Sequence, residues 1–317
     1  MNDFKQAILR FNEQLSPTAL RYFHLKKLSG FRPDAIVVLG MGGSGQIGDL
    51  IAGLAAELKI PVPVAVWKDY GLPRLTFKNP LYVFISFYGN TEEVLSGFKM
   101  KYRVAAVCSG GKLKELAIKN NLPLALFPGD GLAPRQASGY LFYGAMGVIK
   151  KVFPKVLLPN FSKINPAALE KTGRKIASHL TNKAVLVYAT SNNAHLAYNW
   201  KTRLNETAKH LAFSGSLPEM SHNEITPFEK RPKNIFAIFL IDSLDSSRNR
   251  KKINLISQLL NKYGVPNLKI NLQGKTRLEK TWNSLVLADW VSYHLAKIKK
   301  VDPESIKLID QLKELMR

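Results

Sequence analysis

Acidic residues are scarce in this chain of 317: 23 Asp and Glu stand against 46 Lys and Arg, a formal net charge of +23. Cysteine is scarcer still. The single Cys108 excludes an intramolecular disulfide and a cysteine-based metal cluster. Long apolar runs are missing as well, since the longest, Ile235–Ile241, falls far short of the ~20 residues that span a bilayer. The opening Met1-Asn-Asp-Phe-Lys-Gln6 holds no apolar secretory core, which points to a cytoplasmic protein. No internal repeat of roughly 20–50 residues and no low-complexity tract is visible. Membrane, disordered and disulfide-stapled classes are thereby set aside.

What is present is the composition of a folded protein, 46% hydrophobic and 10% aromatic. At ~150 residues per domain the length argues for two domains, each large enough to bury its own core. The basic residues are scattered, in groups no longer than Lys299-Lys300 or Arg250-Lys251-Lys252. No basic arm, zinc finger or helix-turn-helix accompanies them, so the charge reads as a surface bias and nucleic acid is not an expected partner.

Short apolar runs alternate with helical patterns along the first half. The strands read Ala35–Leu39, Val62–Val66, Leu81–Ile85, Val104–Val107 and Leu124–Phe127, with helices at Thr91–Lys101 and Lys112–Asn120. Continuous rather than alternating apolar residues mark strands covered on both faces. Residues 153–166, rich in proline, read as a linker between a unit at 1–152 and another at 167–317. The alternation then restarts: strand Ala184–Tyr188, helix Ala194–His210, strand Ile235–Ile241, helix Ser247–Tyr263, strand Asn267–Ile270 and helix Thr276–Lys297. A final amphipathic helix runs from about Pro303 to Met316. The fold class is therefore α/β, two doubly wound parallel-sheet units in tandem with a C-terminal helix.

Ligands of such sheets bind beyond the carboxyl ends of strands, where glycine turns expose backbone N–H groups. Gly40-Met-Gly-Gly-Ser-Gly45 follows the first strand and opens a helix at about Gln46. Its spacing also fits a dinucleotide fingerprint, yet the nearest acidic partner, Asp69, lies too far along for a ribose contact. Ser86-Phe-Tyr-Gly-Asn-Thr91 ends the third strand and adds hydroxyls beside the first turn. Two such turns form a cup for one phosphate, although Thr91 also suits a plain helix N-cap.

This pair of turns resembles the sugar isomerase (SIS) fold, and the second half resembles one branch of it, the bifunctional phosphoglucose/phosphomannose isomerases. The resemblance is carried by Pro134-Arg-Gln-Ala-Ser-Gly-Tyr140, Trp200-Lys-Thr-Arg-Leu-Asn-Glu-Thr-Ala-Lys209 and Leu217-Pro-Glu-Met-Ser-His-Asn-Glu-Ile225. Ala288–Ala296 and Ile309-Asp-Gln-Leu-Lys313 complete it, so it covers nearly the whole chain. It implies that Glu206 is the base, that Arg135 steadies an enediolate, and that His222 and Lys313 open the sugar ring. It further implies a homodimer with a shared active site, His222 acting in the partner's site.

The residues themselves leave more open. A poorly solvated carboxylate near neutral pKa suits proton abstraction beside a carbonyl. On the helix at 194–210, Leu196, Trp200, Leu204, Ala208 and Leu211 form the expected buried stripe. Asn199, Arg203, Glu206 and His210 lie about 90° around it, which fits a cleft or an ordinary polar rim. Arg135 could instead pair with Asp130, and Lys313 would pass for a solvated helix face. Glu224, in the loop of His222, is expected to shape that loop. The family's second phosphate turn carries serine where this chain has Tyr88, and Ser138 replaces an aliphatic residue. The phosphate set is then Gly42, Gly43, Ser44, Ser86 and Thr91, with Tyr88 as the altered position.

The expected activity is aldose–ketose isomerisation of glucose 6-phosphate, and of mannose 6-phosphate, to fructose 6-phosphate. No cofactor is implied, and no His/Asp/Glu spacing suits a metal. The rivals are a non-catalytic sugar-phosphate sensor and an isomerase of another phosphorylated sugar.

Overall fold

The apolar runs of the two halves become strands of two separate sheets. A computed structural model describes residues 3–99, 102–129, 131–158 and 164–316. The chain divides into one unit of Leu9–Ile164 and another of Met1–Ile8 with Asn165–Arg317. The first residues thus belong with the second half, a correction to the boundary at 1–152. Helix α1 (Asp3–Leu9) is tied there by Lys5 to Glu170 at 3.1 Å and by Phe4 stacked on Tyr293.

In the unit Leu9–Ile164 the strands are β1 (Arg21–Phe23), β2 (Ile36–Leu39), β3 (Val64–Trp67), β4 (Leu81–Ser86), β5 (Arg103–Cys108) and β6 (Leu124–Leu126). Their order is β1-β6-β5-β4-β2-β3, parallel except for β1, which pairs antiparallel with β6. The three residues of β1 are all exposed, too short and too wet for an apolar run to announce them. Between the strands lie α2 (Gly42–Gly53), α3 (Glu92–Ser96), α4 (Gly111–Lys119) and α5 (Ser138–Val152). Val37, Leu39, Tyr82 and Phe84 pack on one face with Val94 of α3 and Leu113 of α4. The opposite face takes α2 and α5: glycines let them close on the sheet, Gly48 against Val38 and Val66, and Gly144 against Val107. The expected helix at Thr91–Lys101 ends at Ser96, with Gly97 as its cap; Lys101 lies outside the described residues.

The other unit holds α6 (Pro166–Leu180), β7 (Ala184–Thr190), α7 (Ala194–Ala208), β8 (Ala212–Leu217), β9 (Ile235–Ile241), α8 (Ser247–Lys262), β10 (Asn267–Asn271), α9 (Arg277–Lys299) and α10 (Lys307–Leu315). Its sheet runs β10-β9-β7-β8, all parallel. Edge strand β8, Ala-Phe-Ser-Gly-Ser-Leu, has no apolar run and escapes a reading by hydrophobicity. In both sheets the chain steps to one side and then returns across its first parallel strand, so switch points fall between β2 and β4 and between β7 and β9. Among the described residues no helix is long and apolar enough to cross a membrane.

Candidate active site

At the first switch point α2 begins at Gly42, a turn earlier than the expected start at Gln46. Gly42, Gly43 and Ser44 therefore form its first turn. Met41 at the N-cap supplies no capping oxygen, so these N–H groups face the space beyond the strand ends without a cap. The second turn is bonded to the first: the buried Ser44 Oγ accepts from the Phe87 N–H at 3.1 Å. Ser86 and Thr91 share a hydrogen bond of 2.8 Å between their hydroxyls. Thr91 stands at the N-cap of α3 but makes no side-chain cap bond, its hydroxyl turned to Ser86 instead. Tyr88 is 58% exposed, and its ring stands edge-on against Phe87.

Arg135 is brought to this turn by packing. A Cβ at Gly43 would lie 3.0 Å from the Pro134 carbonyl and 3.1 Å from the Arg135 Cα, so a larger residue would push the two segments apart by a few tenths of an ångström. Arg135 is 2% exposed, and Ser138 Oγ donates to its carbonyl at 3.3 Å, which gives the substituted serine a partner. Asp130, the alternative partner for Arg135, lies outside the described residues. Gln14, overlooked in the sequence, holds this corner from 122 positions away. Its amide donates to the Gln136 carbonyl at 2.8 Å, and its oxygen accepts from the Gly139 N–H.

In the other unit α7 carries Glu206 near its C-terminal end, half-buried. Leu196, Trp200, Leu204 and Ala208 are buried as expected, while Leu211 is 63% exposed and lies beyond the helix. The supposed polar rim is largely interior: Asn199 and Arg203 are buried because α7 is packed between the sheet and α9, and His210, two residues past the helix, is buried with its ring 2.7 Å from the Lys183 carbonyl. Arg203 Nε donates to Asp289 of α9 at 2.8 Å and its Nη1 to Asn199 at 2.9 Å. Trp200 Nε1 donates to Ser284 on the same helix.

His222 is exposed at the end of a short 3-10 helix, Glu219–His222, which follows β8. Glu224 accepts from the Tyr188 hydroxyl at 2.9 Å. Lys313 lies on α10, its side chain 63% exposed and 3.8 Å from Asp310.

The second switch point is filled from within. Asp242 at the end of β9 accepts from Lys280, from Asn193 at 3.2 Å and from Arg277 at 3.3 Å. Asp245 accepts from Thr190 at 2.7 Å. Burial alone would raise the Asp242 carboxyl, but the Lys280 ammonium and neighbouring donors hold it below its ordinary value. Where the first sheet presents uncapped N–H groups, the second presents a carboxylate already paired with its own cations. Among the described residues no three His, Cys, Asp or Glu come together as metal donors.

Comparison with known proteins adds to this geometry. Residues 169–316 match the bacterial phospho-glucose isomerase C-terminal SIS domain. The chain is 32% identical over 292 residues, 89% of its length and 90% of the relative's, to a bifunctional phosphoglucose/phosphomannose isomerase of Aquifex aeolicus. It is 33% identical over 294 residues, 88% of each chain, to the protein of that name from Thermoplasma acidophilum. A hypothetical protein from Thermus thermophilus superimposes with a TM-score of 0.71 at 14% identity, covering 98% of this chain and 90% of that one.

Proposed function

The chain belongs to the bifunctional phosphoglucose/phosphomannose isomerase family, and from that premise we propose that it interconverts glucose 6-phosphate and mannose 6-phosphate with fructose 6-phosphate, in the cytoplasm and without a metal. The two aldoses differ only at C2. Removing the C2 proton from either open-chain sugar gives the same cis-enediol, so one base and one anion cup serve both. Glu206 takes the C2 proton and returns it to C1, while the C1 oxygen takes up a proton and the C2 hydroxyl gives one up, so the C1 hydroxyl and the C2 carbonyl of the ketose form together. Arg135, always charged, lowers the energy of the oxygen that becomes negative on the way. The N–H groups of Gly42, Gly43 and Ser44, with the Ser86 and Thr91 hydroxyls, hold the phosphate. His222 and Lys313 move the protons that open the ring.

The observation that carries this reading is the close approach of the backbone of Arg135, a buried arginine, to Gly43 in the first turn of α2. A sensor would need the turn but neither Arg135 nor Glu206. The test is fructose 6-phosphate formation from each aldose phosphate, in EDTA, by the wild type and Glu206→Gln. Both sugars turn over in the wild type, and the variant loses about 10³-fold in kcat while still binding substrate. Full activity in the variant removes Glu206 from the mechanism. Binding without turnover in the wild type makes the protein a sensor.

We further propose a homodimer with a shared active site. The support is α10, whose Leu308, Leu312 and Leu315 form one stripe, 80%, 58% and 87% exposed. A helix that leaves its whole apolar face in water is an incomplete structure, and a second copy completes it.

A further inference from the structure

We propose that Tyr188 and Glu224 form a positioning pair for His222, fixing the segment from which it opens the sugar ring. The inference rests on the reading of His222 given above. His222 itself is exposed on one short turn, so its place depends on what anchors the turn on either side. On the N-terminal side Met220 is fully buried in the core of this unit, among Leu217, Phe228 and Phe239. On the C-terminal side the anchor is polar. Glu224, two residues on, accepts a 2.9 Å hydrogen bond from the Tyr188 hydroxyl.

Tyr188 is built to be an unmoving donor. It is 2% exposed, stacks on Phe239 with ring centroids 5.7 Å apart, and lies on β7, the interior strand next to β8. Burial, reinforced by the Glu224 charge, raises its phenol far above the ordinary value, so it stays protonated and donates. Its cross-strand partner on β8 is Gly215. A Cβ there would meet the Tyr188 ring at 2.6 Å and the Glu224 carboxylate at 2.9 Å, so the glycine clears the path of the bond. A side-chain tie from Lys252 to Ser221 at 3.1 Å, immediately before His222, acts in the same sense. An interior tyrosine that spends its hydroxyl on an exposed loop carboxylate gains little for the core, since a phenylalanine would pack there equally well. What it gains is the register of the loop.

Exchange NMR on glucose 6-phosphate in D2O separates the two steps. Interconversion of the α and β anomers reads ring opening, and deuterium entering C2 reads the enediol step. Tyr188→Phe keeps the ring and its stacking, so it folds with a melting temperature near that of the wild type. It slows anomer exchange about tenfold, because a small displacement of a proton-transfer group costs that much. With the enediol step the slower of the two, deuterium incorporation keeps its wild-type rate, so its ratio to anomer exchange rises by the same factor. Glu224→Gln, whose amide oxygen still accepts the bond, retains wild-type exchange, whereas Glu224→Ala behaves as Tyr188→Phe. A merely structural role slows both steps together and leaves their ratio fixed, which overturns the proposal. His222→Asn is the reference. If it leaves the ratio unchanged, the ring-opening role of His222 falls and its supports fall with it. If it alters the ratio and Tyr188→Phe does not, only the positioning role is lost.

Discussion

Gly42 and Gly43 stand side by side in the same helical turn and are needed for different reasons. Gly42 has φ +49° with nothing within 4 Å of a Cβ, so alanine there meets only the backbone cost of a left-handed conformation, about 1 kcal/mol. Gly43 is not on the positive-φ side, and its Cβ would collide with Pro134 and Arg135 backbone at 3.0–3.1 Å. Gly43→Ala therefore pushes the glycine turn away from the arginine by a few tenths of an ångström. Steady-state assays of the two variants should show KM for glucose 6-phosphate rising about tenfold or more in Gly43→Ala and far less in Gly42→Ala. Equal effects would mean that the Arg135 contact is incidental. The glycines, hydroxyls and arginine of this corner were legible because each sits in a short motif. Gln14 was not, since its bond to the Gln136 carbonyl links positions 122 apart and no local pattern reports such a pairing. The position of Tyr88 was legible as a departure, and the structure leaves the residue 58% exposed, its ring edge-on to Phe87.

The strands and helices that carry a continuous apolar face were readable as elements; those that depend on neighbours were not. Strand β8 is recruited by β7, and helix α7 hides polar residues because α9 supplies their partners. His195, in the first turn of α7, shows the energetic side of that burial. It is 6% exposed, its Nε2 has no hydrogen-bond partner among the described residues, and its pKa is pushed down to about 4, first by burial and then by the Arg277 charge. A histidine whose folded value is depressed binds its proton only after unfolding. The stability it leaves intact is complete above the unfolded value of 6.5 and is lost as pH falls from there toward about 4. The loss over that window is about 3 kcal/mol. His210 and His294 are shifted in the same direction by burial and add to it. Thermal melts at pH 7.5 and 4.5 should show His195→Gln losing less stability between the two than the wild type does. Parallel losses would assign the acid sensitivity to other groups.

Charge, length and the alternation of elements reveal two halves, yet they say nothing about whether catalysis needs a second copy. That question falls on α10, which packs none of its residues away and still carries Lys313. A stable interface needs about 800 Å² from each partner, more than one short stripe supplies. Leu211, just before edge strand β8, and Phe213 within it are exposed as well and add to the apolar surface of this unit. If two copies close over it and His222 of one serves the other, complementation decides the matter. Glu206→Gln and His222→Asn each turn over the cyclic sugar phosphates far more slowly than the wild type. In a hybrid dimer, one site holds both defects and the other holds neither. Co-expression in equal amounts then yields half hybrids with one intact site each, restoring about a quarter of wild-type activity by the two-fold symmetry of the assembly. Restored activity should vanish when Leu308→Glu and Leu312→Glu are added to both chains, and sedimentation should show the mass falling from two chains to one. Hybrids that sediment as dimers yet stay inactive would return each site to a single chain, and dimers that survive both substitutions would move the interface elsewhere.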